Sequence, residues 1–421
     1  MGLFSFNYFT YNTGVMKSLS KLFRVGLGPS SSHTIAPSIA ANCFKRFLDK
    51  DNPVEVEVTF YGSLALTGIG HHTDTAVKNG LLPFPSHVIF DPHTAVEHPL
   101  TMGFKATLVS GEVVEKTYIS LGGGEVASPD DEMAAERDIY PFADFESIKT
   151  YIKANNIKCW KEFCHHFEDP SIDGYLETAL KTMFASVENG SAASSYIPAN
   201  GNRRLRWKRS AGAIAKRAGS IEDKDAKREI LLTAYAYAVA ESSASGETIV
   251  TAPTCGSSGV LPAVLYYEYH VNHRSFDELK NALYGAGMFG NIVKQNASIA
   301  GAIGGCQAEI GTASSMAAVA FCSLAGLDLF EQEYAAECAM EHFLGLSCDP
   351  VDGYVIIPCI ERNGMGALRA YDAYLYARYI SPIRMNMVSF DDVVRAMKLT
   401  GDALTSAYKE TAEGGLAKIL K

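Results

Sequence analysis

The chain has 421 residues, 47% of them apolar and 20% charged, which is enough apolar material for more than one hydrophobic core. Its net charge of −10 argues against a nucleic-acid partner or an anionic membrane surface. Nine scattered cysteines, an odd number, point to free or metal-bound thiols in a reducing, cytoplasmic setting rather than to a disulfide framework.

Residues 1–15, MGLFSFNYFTYNTGV, hold no Lys or Arg and no long apolar run, so they lack the marks of a signal peptide. Phe6 stands where a myristoylation pattern requires Ser or Thr. The segment reads as an N-terminal extension, and Met16 followed by KSLSKLFRVG reads as the start of the first domain. GPSSSHT (28–34) gathers hydroxyls and an imidazole ahead of a helical pattern that places Ile35, Ile39 and Phe44 near one face. Such a start serves either as a plain N-cap or as an anion site fit for a carboxylate. VEVEVTFYG alternates Val54, Val56, Val58 and Phe60 in the period of a half-buried strand. His71 and His72 follow in the glycine-rich GIGHHTDTA, as a solvated loop pair or as a base with a neighbour. GFKATLVSGEVVEKTYISLGGG predicts two strands joined by a two-residue turn at Ser110-Gly111.

The acidic stretch SPDDEMAAERDIYPFADF (128–145), broken by Pro141, reads as the linker. The fold class expected is α+β: a small α/β domain over 16–145, then a larger, mostly helical catalytic domain over 155–421. In the second domain Ser275 and Glu278 stand at capping-box spacing ahead of a helix. Residues 285–325 are rich in Gly, Ala and Ser, so the helices there should approach closely and be buried all round. The most apolar run, MAAVAFCSLAGL, stops at Asp328, short of the roughly 18–20 residues that span a bilayer.

Three cysteines of this domain have unusual settings. Cys306 lies among glycines in GGCQAEIG, Cys348 precedes Asp349-Pro350, and Cys359 follows Pro358. They form no CxxC pair and have no local fourth ligand, so they are either small buried hydrophobes or ligands held at breaks in regular structure. Cys322 and Cys338 sit within helical patterns and read as core. Lys294, Asn296 and Ser298 in KQNAS, and Arg362-Asn363, offer donors to a carboxylate, against the alternatives of a solvated lysine and a structural ion pair. A helix over KQNAS would put Lys294 and Ser298 on one face. Glu341-His342 flanks Cys348 on the same footing. PTCGSSG (253–259) could cradle the phosphate of pyridoxal phosphate, but no lysine in a Schiff-base setting accompanies it.

GLGPSSSHTIAPSIAA, YGSLALTGIGHHTD, TAPTCGSSGVLPAVLYY, KQNASIAGAIGGCQAEIGTASSMAA and AMEHFLGLSCDPVDGYVIIPCIERNGMGA resemble, in order, the bacterial iron–sulfur-dependent L-serine dehydratases (L-serine ammonia-lyases). The resemblance runs from about 17 to 417. It implies that Cys306, Cys348 and Cys359 hold a [4Fe-4S] cluster with one open iron, a Lewis acid suited to removing hydroxide. It makes His71 the candidate base, and Ser31, Ser32, His33 and Thr34, with Lys294, Asn296, Ser298, Arg362 and Asn363, the candidate substrate contacts. The implied substrate is L-serine, with L-cysteine or L-threonine as alternatives. A non-catalytic amino-acid sensor with a structural metal site is the alternative from another class. A homodimer is expected, with neither membrane nor nucleic acid as partner.

The sequence departs from the family pattern at two places. Cys255 and Ser257-Ser258 stand in PTCGSSG where Asn and two alanines are usual. The segment KETAEGGLAKILK ends in Lys421 without the cysteine by which some members cap the open iron, so water or an external ligand is expected there.

Overall fold

The computed structural model describes residues 16–48, 53–128, 138–199, 203–384 and 386–420. The N-terminal extension and most of the acidic linker (129–137) lie outside the described residues. The molecule is α+β, with a sheet in the first part and helices in most of the rest.

The sheet has five strands, in spatial order Ser86–Asp91, Pro53–Tyr61, Thr101–Leu108, Val113–Gly122 and Glu125–Ala127. The first two are parallel and every other pairing is antiparallel. Val56, Val58 and Phe60 point into the core with Phe104, Ala106 and Tyr118, where Phe44, Leu64 and Val77 of the neighbouring helices meet them. Val54, at the edge of the alternating run, is 57% exposed. The hairpin turn is wider than its Ser-Gly pair suggested, because Thr107 pairs with Val113. A two-residue type I′ turn needs positive φ at both central positions. Here only Gly111 takes that conformation, at φ +86°, and its N–H donates to Leu108 O (2.9 Å).

The helical part is arranged around Thr312–Leu324, in which every residue but Ser323 is buried. Helices Val260–His270, Phe276–Asn296, Leu329–Glu341 and Cys359–Tyr379 pack around it. Close approach is possible because this central helix is mostly Ala and Ser. Its hydroxyls donate to carbonyls of the neighbours, Ser314 to Gly366 O (2.9 Å) and Ser315 to Ala336 O (2.6 Å). Those bonds remove the cost of burying the hydroxyls. The capping box of Ser275 and Glu278 is formed at the start of Phe276–Asn296.

The chain does not divide cleanly at the linker. Met16, Leu19, Leu22 and Phe23 are buried in the core of the helical part. Met16–Lys17 pairs with Asp138–Tyr140, and Val25–Leu27 pairs with Thr248–Val250. These two short ribbons fix the turn at 28–34 against the helical part. Among the described residues, no helix is long and apolar enough to cross a membrane.

Candidate active site

Cys306 and Cys359 stand at the starts of helical segments, and Cys348 lies in the irregular stretch between Leu329–Glu341 and Cys359–Tyr379, bridged to Lys409. Cys306 follows Gly305, at φ +76°, and precedes a single π-helical turn, Gln307–Gly311, that leads into the central helix. Such turns concentrate at functional sites. Gln307 fastens this one: its Nε2 donates to Gly304 O (2.8 Å) and its Oε1 accepts from Gly345 N–H (2.9 Å). Cys348 is tied to the C-terminal segment through its N–H to Tyr408 O (2.8 Å) and through its carbonyl, which accepts from Glu410 N–H (2.9 Å). Cys359 is the first residue of Cys359–Tyr379, at the helix end whose free N–H groups favour a thiolate.

Arg362, one turn into that helix, donates to Ser347 O (2.7 Å) and to Asp349 Oδ1 (3.0 Å) beside the thiols. A hydrogen bond from Cys348 and the nearby Arg362 guanidinium outweigh burial at Cys306 and bring its thiol down to about 6. Donating that hydrogen bond, together with burial, pushes Cys348 up, and burial with the Cys306 charge pushes Cys359 up. A metal held here would meet one thiol already prone to ionise, while the others would have to release protons to bind it.

The opposite side is built of imidazoles. His33 and His71 are wholly buried and stacked, with ring centroids 4.4 Å apart. His33 lies in the π-helical turn Ser31–Ile35, and His71 closes the turn before Thr73–Leu81. Their backbones are cross-tied: Thr34 Oγ1 donates to His71 O (2.7 Å) and Thr73 Oγ1 donates to His33 O (2.6 Å). His71 Nδ1 lies 2.9 Å from Thr67 O, an acceptor, so Nδ1 carries the hydrogen and Nε2 keeps its lone pair. That Nε2 is buried without a hydrogen-bond partner. Burial lowers His71 to about 4 and lowers His33 as well, so both are neutral near pH 7. Ser63 Oγ donates to Glu410 O (2.8 Å) and faces His33 Nε2 at 3.1 Å, which assigns the His33 hydrogen to Nε2. Its Nδ1 then accepts from Ser32 Oγ (2.9 Å).

Glu410 joins the two sides. Oε1 lies 3.6 Å from His71 Nε2 and 3.7 Å from His33 Nδ1, while Oε2 is buried without a hydrogen-bond partner. Gly301 marks the common space. A Cβ built on it would lie 2.9 Å from Glu309 Oε2, 3.0 Å from Cys348 Sγ and 3.3 Å from Glu410 Oε2. Glu309 accepts from Thr254 Oγ1 (2.7 Å), and loss of solvent plus the Cys306 charge raises it to about 8. Burial and the Glu309 charge likewise raise Glu410.

Two donor sets could hold a metal. His33, His71 and Glu410 bring three ligand atoms within 4.8 Å of one another, the one such group among the described residues. The three cysteine sulfurs do not form such a group, although the Cys306 and Cys348 thiols are hydrogen-bonded to each other. An all-sulfur donor set and a missing side chain at Gly301 fit an iron–sulfur cluster.

The structure brings Cys306, Cys348, Cys359, His71, His33, Ser32 and Arg362 to this region. Ser31 and Thr34 are buried in the same turn, Thr34 with its hydroxyl committed to His71 O. His72 takes a left-handed conformation (φ +55°) at the start of Thr73–Leu81. Lys294 pairs with Glu125 Oε2 (2.7 Å), and Asn296 donates to Ala143 O (2.7 Å), so both bind other parts of the chain. The helix ends at Asn296, and Ala297 (φ −138°, ψ −109°) turns Ser298 off it, so Lys294 and Ser298 share no helix face. Ser298 Oγ accepts instead from Ala300 N–H (3.0 Å). Asn363 uses both amide hydrogens and its oxygen to brace Gly256 O, Cys359 O and Gly259 N–H. His342 Nδ1 meets Cys338 O (2.7 Å), and Cys255 is buried in a small apolar cluster.

Sequence reasoning missed Glu309, Glu410, Ser63 and Gly301. Glu309 lies three residues after Cys306, which was the available signal; Glu410 stands in KETAEGGLA, far along the chain from everything it touches.

Residues 124–417 match the family model described as serine dehydratase alpha chain, and residues 18–89 match serine dehydratase beta chain. The chain is 36% identical to the L-serine dehydratase of Streptomyces coelicolor, across 95% of this chain and 98% of that protein. It is 36% identical to the L-serine dehydratase of Helicobacter pylori strain 26695, across 96% and 99% respectively. L-serine dehydratase 2 of Escherichia coli is 34% identical, across 96% and 98%.

Proposed function

Because the chain belongs to the serine dehydratase family and carries alpha-chain and beta-chain segments in one polypeptide, we propose that it converts L-serine to pyruvate and ammonia. In this reading Cys306, Cys348 and Cys359 hold a [4Fe-4S] cluster. When bound, the cluster would supply a Lewis acid at its three-coordinated corner, suited to a departing hydroxide.

The protein's own groups do the rest. His71 takes the α-proton on Nε2, the nitrogen left free by the Nδ1–H bond to Thr67 O. Its low basicity, set by burial, keeps it in the base form near pH 7. The Ser31 hydroxyl and the guanidinium of Arg362 orient the carboxylate, while Ser32 donates to His33 Nδ1. Loss of the α-proton and the β-hydroxyl gives aminoacrylate, which tautomerises to an imine, and water hydrolyses it to pyruvate and ammonia. The observation that carries the reading is the unpartnered His71 Nε2, buried and joined through Glu410 to the space lined by the thiols.

The test is anaerobic reconstitution with iron and sulfide, followed by pyruvate assay on L-serine, L-threonine and L-cysteine. Activity should be highest with L-serine and should disappear on exposure to oxygen. Undiminished turnover after Cys306, Cys348 and Cys359 are all changed to serine would overturn it.

A further inference from the structure

We propose that Glu410 binds the α-ammonium group of the amino-acid substrate. The inference rests on the lyase reading and adds to it the residue that tells an amino acid from a hydroxy acid.

A zwitterionic substrate brings one cation into a site that needs a carboxylate to receive it. Three carboxylates stand near the thiols. Asp349 is committed, with Oδ1 to Arg362 and Oδ2 to Leu416 N–H (2.8 Å). Glu309 Oε1 accepts from Thr254. Glu410 differs from both, being only 6% exposed and having, beyond a backbone hydrogen bond from Ala302 to its carboxyl group, Oε2 buried without a partner. A desolvated carboxylate oxygen left in that condition is costly, and a cationic ligand would relieve the cost.

Position agrees with charge. The ammonium nitrogen and the hydrogen to be removed share one carbon. A substrate that turns its Cα–H toward His71 Nε2 therefore brings its ammonium beside Glu410 Oε1, 3.6 Å from that nitrogen. The imidazoles do not already satisfy the carboxylate, since both separations exceed hydrogen-bond length and His71 Nε2 carries no hydrogen.

The backbone of Glu410 is held from both parts of the molecule. Its N–H donates to Cys348 O and its carbonyl accepts from Ser63 Oγ. It also sits at φ +58°, a conformation rarely adopted by residues other than glycine. Such strain persists where surrounding bonds enforce it and is frequent at ligand sites. The segment thus delivers one carboxylate to a fixed place between the base and the thiols.

The test uses holoenzyme in a His71→Asn background, which binds without turning over. Calorimetric titration with L-serine and with 3-hydroxypropionate, the same molecule lacking the ammonium, is compared before and after Glu410→Gln. Serine affinity should fall about ten- to hundredfold, the range for a hydrogen bond to a charged group, while 3-hydroxypropionate affinity stays unchanged. Equal losses for both ligands, or no loss for serine, would overturn the proposal. Iron and sulfide content is measured on each variant. If Glu410→Gln loads poorly, Glu410→Asp keeps the charge and should retain discrimination between the two ligands; loss of discrimination there also overturns it. Failure of the lyase reading shows separately, as absence of pyruvate formation by the wild-type holoenzyme.

Discussion

Cys306 and Cys359 stand at the starts of segments that run into the buried helical core, whereas His33 and His71 stand in turns tied by hydroxyl-to-carbonyl bonds. The thiol side is positioned by side-chain packing over whole helices. The imidazole side is positioned by a few hydrogen bonds among Thr34, Thr73, Thr67 and Ser63. The contrast assigns the two sides different sensitivities. Volume changes should harm the thiol side, and loss of single polar atoms should harm the imidazole side.

The largest effect should come from adding volume where the two sides meet. Gly301→Ala places a methyl carbon about 3 Å from Glu309, Cys348 and Glu410 atoms, closer than van der Waals contact allows. The variant should fold but retain little iron after anaerobic reconstitution, measured as iron per chain. Normal iron content would show that the thiols adapt and would remove the distinction. Next in size is His71→Asn, which deletes the base without touching a thiol. Pyruvate formation should fall about 10²- to 10⁴-fold with iron content unchanged.

A smaller and more telling effect is expected for Thr34→Val. The substitution keeps the shape of the side chain but removes the donor to His71 O, which is buried. A buried bond lost in this way costs about 1–2 kcal/mol. Thermal stability should fall by a few degrees and turnover several-fold, with iron content again normal. If iron content falls in parallel, the two sides are coupled more tightly than their construction suggests.

Legibility in the sequence follows the same contrast. Val56, Val58 and Phe60 announced their strand because one face is buried and one is not, and the Ser275–Glu278 box announced a helix start because capping is local. The cysteines could be singled out by their glycine and proline neighbours. The partners of Lys294 and Glu410 were hidden because each is set by tertiary contact. Glu125, on the last strand of the sheet, takes Lys294, and Glu410 reaches residues more than three hundred positions away. Glu309 was passed over since a carboxylate three residues after a cysteine looks like a helix surface until the π-helical turn rotates it toward Gly301. Packing over long range, rather than any local rule, decides these positions.

The smallest effect concerns a histidine that lies in the α/β part and makes no contact with the site. His98 is lowered to about 4 by burial, and its Nδ1 accepts from Leu100 N–H (3.2 Å), a bond that a proton on Nδ1 would abolish. A group whose folded value is depressed takes up its proton more readily in the unfolded chain, at about 6.5. Its contribution to stability is therefore complete above pH 6.5 and is lost as the pH falls from there toward 4. His33 and His71 act in the same direction, whereas Glu309 and Glu410, raised by burial, hold protons in the folded state and act in the opposite one. His98→Asn keeps an acceptor for Leu100 and removes the titration. Wild type should lose on the order of 1 kcal/mol more than this variant between pH 7 and pH 5.5 in urea unfolding. Equal losses would mean that His98 titrates normally in the folded protein.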